Sequence, residues 1–121
     1  MTMSKPALLL FAHGSSDPAW AAPFEQIRDE IAARRPDMPV GLAYLERMSP
    51  SFAEEVARLV TAGATEITVA PLFLAPGGHV KKDLPALAQA ALQAHGVPIH
   101  ISPSLGESPE MIESIARWAL G

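Results

Sequence analysis

Two histidines that stand next to glycines follow apolar runs of the sequence. His13 closes the first run and precedes Gly14, and His79 follows a second run that ends in two glycines. A neutral imidazole can bind a metal ion or accept a proton near neutral pH. A single histidine at the end of a strand more often serves a structural role, so a functional interpretation depends on both residues lying at one site.

A carboxylate and an arginine, Glu46 and Arg47, follow a third apolar run. Two imidazoles and one carboxylate with open coordination positions suit a borderline divalent metal such as Fe, Co, Ni or Zn. We therefore predict a divalent-metal site formed by His13, His79 and Glu46.

The nearest basic residues are Arg47, Lys81 and Lys82, which could bind the carboxylates of a substrate. For each residue taken alone, a solvated surface position is an equally good interpretation. Gly14 and the serines after it could bind phosphate ahead of a helix. The segment lacks both the GxGxxG and the P-loop patterns, which argues against a nucleotide site. No G-x-S-x-G elbow supports a serine nucleophile there.

The composition indicates one globular domain over residues 1–121, with 49% hydrophobic and 18% charged residues. A net charge of -4 argues against general binding to nucleic acid or to an anionic membrane. The absence of cysteine excludes disulfides, thiolate zinc sites and iron-sulfur ligation. The apolar run of residues 7–12 is too short to cross a bilayer, so we expect a cytoplasmic protein.

Four apolar segments have the length and character of strands. A continuous apolar run that ends in a turn signal is typical of a strand buried on both faces of a parallel sheet. Pro98 indicates an edge position for the last strand, because proline cannot donate to a central ladder. The predicted strands are Pro6 to Ala12, Val40 to Leu45, Ile67 to Leu72 and Val97 to Ser102.

Each predicted strand is followed by a helical pattern. Helix-start signals stand at Asp17-Pro18, at either Ser49-Pro50 or Ser51 with Glu54, and at Ser108-Pro109. The third helix is expected to be capped by Asp83, to accept Pro85 in its first turn and to end at His95-Gly96. The apolar stripes predicted to face the core include Trp20, Phe24, Ile27 and Ile31 in the first helix, and Met111, Ile112, Ile115 and Trp118 in the last.

This strict alternation predicts an α/β fold: a single-domain three-layer sandwich with a four-stranded parallel sheet, flavodoxin-like in order 2-1-3-4, flanked by helices. Ligands of such sheets bind beyond the carboxyl ends of the strands, where the strand order reverses. His13, Glu46 and His79 all follow strands at that edge, so we expect them to converge.

Three motifs together resemble the small class II sirohydrochlorin chelatases of the CbiX type. They are Leu-Leu-Phe-Ala-His13-Gly-Ser, Tyr44-Leu-Glu46 and the segment from Pro71 through Gly-Gly-His79-Val-Lys-Lys to Asp83. The resemblance implies a chelatase-like fold and ATP-independent insertion of cobalt, or of iron or nickel, into sirohydrochlorin or its precursor precorrin-2. The divalent metal is then a substrate, and no cofactor is bound permanently.

The resemblance also implies roles for single residues. It assigns metal handling and catalysis to the two histidines and Glu46, and it implies a homodimer, since longer chelatases carry this unit twice. The family commonly has arginine at the position of Ser16, which leaves the substrate orientation open. The expected substrate-binding residues are Gly14, Ser15, Arg47, Gly77, Gly78, Lys81 and Lys82.

Two other functions fit the same residues. A non-catalytic carrier of metal or tetrapyrrole would use the same pair of histidines, and turnover would distinguish it from an enzyme. A flavodoxin-like phosphate-binding or regulatory module would instead be centred on residues 14–16, and divalent-metal binding without nucleotide binding would argue against it.

Overall fold

A computed structural model describes residues 4–75 and 77–121, and the side chain of His79 lies outside the described part. The chain forms one four-stranded parallel sheet in the order β2-β1-β3-β4. This confirms the order predicted from the sequence. The strands are β1 (Pro6–Ala12), β2 (Val40–Tyr44), β3 (Glu66–Pro71) and β4 (Ile99–Ile101).

Strand β1 has the predicted bounds, whereas β4 is shorter than the predicted segment from Val97 to Ser102. The ladder begins late because Pro98 has no N–H to donate. Its carbonyl oxygen accepts the first bond instead, from the Ile67 N–H at 3.0 Å. β4 lies at one edge of the sheet, as Pro98 indicated.

Within residues 4–75 and 77–121, three α-helices and one 3-10 helix connect the strands, and a second 3-10 helix and a fourth α-helix follow β4. Trp20 lies in the first 3-10 helix and not in α1, which corrects the predicted start of that helix. Among the described residues, no helix has the length and apolarity needed to cross a membrane. The helices are α1 (Ala22–Arg34), α2 (Phe52–Thr61), α3 (Gly78–His95) and α4 (Pro109–Leu120), and the 3-10 helices are Pro18–Ala21 and Leu105–Glu107.

The start of α3 differs from the prediction. The helix begins at Gly78 with Gly77 as its extended N-cap, so the expected cap at Asp83 is wrong. The Lys81 N–H already donates to the Gly77 carbonyl at 3.2 Å, before Asp83 is reached, and Pro85 lies inside the helix. Glycine is accepted at an N-cap, although it is a poor residue within a helix. The predicted end at Gly96 is confirmed by its left-handed φ of 66°.

The helices cover the two faces of the sheet unequally. Helices α2 and α3 pack on one face, around Phe11 and Val69, while α1 packs on the other face over β1 and β2. The largest fully buried side chains are Phe11, Leu9, Leu42, Leu59, Ile67, Val56 and Val69. The carboxyl ends of the strands, which the candidate residues follow, are thus anchored in a closely packed core.

Helix α4 contradicts the predicted burial of its apolar stripe. No residue of this helix is buried, and Trp118 is 80% exposed. The expected periodicity is present, but the helix contacts mainly the 3-10 helix Leu105–Glu107 that precedes it. Periodicity predicts that a face is apolar, and it does not identify what covers that face.

A carboxylate occupies the outer edge of β2. Glu55 is only 6% exposed, and its Oε2 accepts the outward N–H of Leu42 at 2.9 Å. Arg58 donates through Nε to Glu55 Oε1 at 2.6 Å and through Nη2 to the Val40 carbonyl at 3.1 Å. The hydrogen bond that Arg58 donates to Glu55 raises the pKa of Arg58. Unpaired N–H and C=O groups on an edge strand can pair with other chains. Glu55 and Arg58 satisfy two such groups of β2, the Leu42 N–H and the Val40 carbonyl. This arrangement was not predicted from the sequence.

Glu55→Ala is expected to lower the free energy of unfolding by about 2 to 3 kcal/mol. The change leaves the Leu42 N–H without a partner and Arg58 without its carboxylate. Glu55→Gln keeps a side-chain oxygen that can accept the Leu42 N–H and is expected to cost less. Urea unfolding of both variants measures the difference, and equal losses would contradict the edge-closing role of Glu55.

Candidate functional site

His13 and Glu46 lie side by side because the β1–β2 ladder continues past the ends of both strands. The Leu45 N–H donates to the Ala12 carbonyl at 2.9 Å, and the Glu46 N–H donates to the His13 carbonyl at 3.1 Å. The side chains meet with His13 Nε2 3.0 Å from Glu46 Oε1. The structure therefore brings together two of the three residues predicted to handle metal.

Gly14 makes this close approach of the two segments possible. Its φ is 99°, a conformation that L side chains rarely adopt, and a Cβ there would overlap the Glu46 carbonyl oxygen. The glycine thus serves the backbone geometry of the site.

The next residues along the β1 loop fold into a turn. The Ser15 hydroxyl accepts the Asp17 N–H at 3.1 Å, and the Asp17 carboxylate accepts the Ala19 N–H at 3.0 Å. These bonds give Ser15 a structural task, and its predicted contact with substrate stays a prediction.

Arg47 lies beside the pair. Its φ of 66° is unusual for a residue other than glycine, and its Nε is 3.9 Å from Glu46 Oε1. At that distance, and with the Arg47 side chain 61% exposed, the ion pair is weak. Arg47 remains free to bind an anionic group that enters the site.

The loop after β3 supports His13 from the other side. The Leu72 N–H donates to the Phe11 carbonyl at 2.8 Å, which keeps this loop next to β1. The buried Phe73 ring meets the His13 ring edge to face, with centroids 6.3 Å apart. His13 is therefore held between Glu46 on the β2 side and Phe73 on the β3 side.

His79 is the second residue of α3, the helix that follows this loop. Its side chain lies outside the described residues, so the prediction that the two imidazoles face one another stays a prediction. Gly77 and Gly78 are exposed, and a Cβ at either would meet nothing within 4 Å. Packing within the described part of the chain does not require these glycines, which leaves the backbone open to a bulky ligand.

Lys81 and Lys82 are exposed in the first turns of α3, and the first turn of this helix contains no acidic residue. Cations are unfavourable near the N-terminus of a helix, where the dipole is positive. Helix stability therefore does not explain the lysines. Together with the dipole they make this end of α3 a positively charged region at the edge of the site.

The His13–Glu46 pair has the chemistry of a metal-handling or proton-accepting site. An ionised carboxylate only accepts hydrogen bonds, so Glu46 favours the tautomer with the proton on Nε2 and leaves a lone pair on Nδ1. Both side chains are 52% exposed and accessible to a large ligand. Within the described residues, which leave out the His79 side chain, no group of three or more metal-ligating residues occurs.

Comparison with known protein families decides the assignment. A sequence model of the CbiX family matches residues 7–119. The chain belongs to the CbiX family. The match includes every residue predicted to form the site.

Curated relatives of this CbiX protein are named sirohydrochlorin cobaltochelatase. One from Methanosarcina acetivorans is 35% identical over 83 residues, which are 69% of this chain and 64% of the relative. One from Methanococcoides burtonii is 31% identical over 125 aligned positions, covering 96% of this chain and 95% of the relative. The chain thus matches less than two thirds of the first relative and nearly all of the second.

Solved structures share the fold. A protein from Marinobacter aquaeolei, described as a cobalamin (vitamin B12) biosynthesis CbiX protein, has a TM-score of 0.80 at 33% identity, with 95% of this chain and 97% of that chain covered. The sirohydrochlorin chelatase SirB from Bacillus subtilis subspecies spizizenii, in complex with cobalt, has a TM-score of 0.74 at 26% identity. This chain covers 49% of that SirB chain, which is about twice as long.

Proposed function

We propose that this CbiX protein inserts a divalent metal into sirohydrochlorin or a closely related reduced tetrapyrrole without ATP, with cobalt as the first candidate and iron or nickel as alternatives. The observation that carries the proposal is the half-exposed His13–Glu46 pair, 3.0 Å apart at the carboxyl ends of β1 and β2, with β1 bordering the point where the strand order reverses. The names of the curated relatives support both the substrate and cobalt.

The reaction replaces two pyrrole N–H protons of the ring by one divalent ion. The metal must lose water ligands, and the protons must be accepted as the ring nitrogens bind the metal. In this proposal the free Nδ1 of His13 binds the incoming ion or accepts a pyrrole proton. Glu46 stabilises the positive charge that develops on the imidazole or at the metal.

Transfer requires that the protein bind the metal weakly. A closed site with four protein ligands would retain the ion, as structural zinc sites do. The exposed pair of His13 and Glu46, completed by His79 as the resemblance implies, leaves coordination positions for water and for the ring nitrogens. We assign metal handling and catalysis to these three residues.

The carboxylates of the tetrapyrrole need positive partners on a protein with a net charge of -4. We assign this role to Arg47, Lys81 and Lys82. The open backbone at Gly77 and Gly78 would accept the flat macrocycle close to α3, and Gly14 and Ser15 would contact it from the β1 side.

The assembly and location of the protein are part of the proposal. We propose a homodimer, because a SirB chain about twice as long shares this fold over half of its length. We also propose a cytoplasmic location, as expected from the sequence. Two copies of this chain would then correspond in size to that longer chelatase.

An absorbance assay tests the proposed function. Purified protein is mixed with sirohydrochlorin and with Co²⁺, Fe²⁺ or Ni²⁺ in turn, and the spectral change is compared with protein-free controls. Faster metallation with at least one metal supports a chelatase. If no metal gives a rate above the spontaneous one, the proposal fails, and binding without acceleration favours a carrier.

Lys82→Ala is expected to raise the KM for the tetrapyrrole several-fold with little change in kcat. The lysine acts on carboxylates that stay equally charged in the ground state and in the transition state. Arg35→Ala is the matched control. Arg35 is exposed just before β2, near the amino-terminal ends of the strands, whereas the candidate site lies at their carboxyl ends. Steady-state kinetics of both variants test this role. An unchanged KM for Lys82→Ala would remove the residue from the substrate site.

A further inference from the structure

A small cavity opens between the start of α3 and the segment that follows β4. Its volume is about 160 Å³, which is enough for a short side chain of a ligand together with a few water molecules. The cavity lies at the carboxyl ends of β3 and β4. His13 follows β1, which borders β3 on the side away from β4.

The floor of this cavity is apolar apart from one hydroxyl. Pro71, Val80 and Leu84 are buried there, and Ser104 is only 8% exposed. The Ser104 hydroxyl makes no hydrogen bond to any residue within 4–75 and 77–121. Every side-chain nitrogen or oxygen that is fully sealed in this part of the chain has a partner, so the Ser104 hydroxyl opens into the cavity. A buried hydroxyl without a protein partner is unfavourable until a ligand or water bonds to it.

Two side chains of opposite charge stand at the rim of the cavity. Lys81 and Glu107 are exposed, and neither forms an ion pair with another residue that the structure describes. A lysine in the first turn of a helix is unfavourable for the helix dipole. A negatively charged group in the cavity would explain why Lys81 is there.

The wall formed by the segment after β4 is fixed to the loop that supports His13. The Gly106 N–H donates to the Phe73 carbonyl at 3.1 Å. A Cβ on Gly106 would overlap the Leu74 carbonyl oxygen, so this close approach requires glycine. The Phe73 ring also meets the His13 ring. The cavity and the His13–Glu46 pair therefore share one support.

The position of the cavity relative to His13 suits a macrocyclic ligand. Neighbouring strands are about 4.8 Å apart, so a cavity between the ends of β3 and β4 lies roughly 5 to 10 Å to the side of β1. In a tetrapyrrole the metal-binding nitrogens are at the centre of the ring, and the carboxylates are at its periphery. A ring centred near His13 would therefore bring a peripheral carboxylate to the cavity.

We infer that the cavity binds one short carboxylate side chain at the periphery of the tetrapyrrole. The inference rests on the proposed function and gives one carboxylate of the substrate a defined place. The methylene groups of that side chain lie against Val80 and Leu84. The carboxylate accepts a hydrogen bond from the Ser104 hydroxyl, and Lys81 supplies positive charge. Glu107 opposes the carboxylate from the rim and keeps its binding weak, as release of the product requires.

Equilibrium dialysis of metal-free sirohydrochlorin tests this site without any turnover. Ser104→Ala should raise the Kd about tenfold, the effect of losing a hydrogen bond to a charged group. Lys81→Ala should raise the Kd about threefold, because an exposed charge pair contributes less. Glu107→Gln should lower the Kd, since it removes a repulsion. Ser114→Ala is the matched control, because it removes an exposed hydroxyl from α4 and should bind as wild-type protein does.

Urea unfolding of the ligand-free protein distinguishes a binding hydroxyl from a structural one. Because the Ser104 hydroxyl has no partner in the described part of the chain, Ser104→Ala should leave the urea midpoint unchanged or raise it. A lower midpoint would assign the hydroxyl to folding and overturn the inference. Wild-type Kd values in both Ser104→Ala and Lys81→Ala would overturn it as well.

The metallation assay on the same samples separates this inference from the proposed function. If wild-type protein metallates sirohydrochlorin while Ser104→Ala and Lys81→Ala keep its KM and Kd, the carboxylate site is wrong and the proposed activity stands. If binding weakens in both variants but no protein accelerates metallation, the site is supported and the activity is refuted. Wild-type protein that binds no sirohydrochlorin would overturn both.

Discussion

His13→Ala is expected to lower the rate of cobalt insertion by about 100-fold or more while the protein stays folded. Loss of a positioned proton acceptor has an effect of this size. The side chain is 52% exposed and its hydrogen bond is with the equally exposed Glu46, so its removal leaves no buried polar group unsatisfied. Initial rates from absorbance, with the spontaneous rate subtracted, measure the effect.

His100→Ala is the matched control, because it removes an exposed imidazole from β4, away from the His13–Glu46 pair. Its insertion rate should equal that of wild-type protein. His79→Ala should resemble His13→Ala, as the family resemblance implies. A His13→Ala protein with wild-type rates would show that the pair with Glu46 has no part in insertion.

Gly14→Ala is expected to destabilise the protein by about 3 kcal/mol and to reduce insertion strongly. An alanine is strained at the left-handed φ of 99°. The alanine Cβ would also force the His13 segment away from the Glu46 carbonyl. The distance between the His13 and Glu46 side chains would then increase. Thermal or urea unfolding, together with insertion rates, measures both effects.

Gly96→Ala separates the two causes of that loss. Gly96 also has a positive φ, of 66°, but a Cβ there meets nothing within 4 Å. This control should lose only about 1 kcal/mol, the usual cost of replacing a glycine at the end of a helix. Equal losses in the two variants would mean that the close approach of Gly14 to Glu46 contributes nothing.

The sheet was predictable because each strand and most connections carry strong local signals. The apolar run Pro6–Ala12 became β1 with unchanged bounds, and the capping box of Ser51 and Glu54 is present at the start of α2. The start of α3 was not predictable from local signals. Asp83 and Pro85 resemble a helix start, whereas Gly77 and Gly78, which precede the true first turn, are weak helix formers.

The proximity of His13 and Glu46 followed from topology, since the carboxyl ends of neighbouring parallel strands meet at one edge. The exposure of Trp118 did not follow, because an apolar stripe has the same pattern whether it is covered by its own chain or by another. The pair of Glu55 and Arg58 on the edge of β2 was also missed. Its i, i+3 spacing is common on helix surfaces, and nothing local indicates that Glu55 reaches the Leu42 N–H.

The number of tetrapyrroles metallated per protein chain tests the central claim most directly. The measurement follows absorbance with sirohydrochlorin and Co²⁺ in large excess over protein and subtracts the protein-free rate. We predict steady product formation that continues far beyond one equivalent per chain. The His13→Ala change should slow this formation about 100-fold. Product formation that stops at one equivalent, or that never exceeds the spontaneous rate, would contradict catalytic metal insertion by this protein.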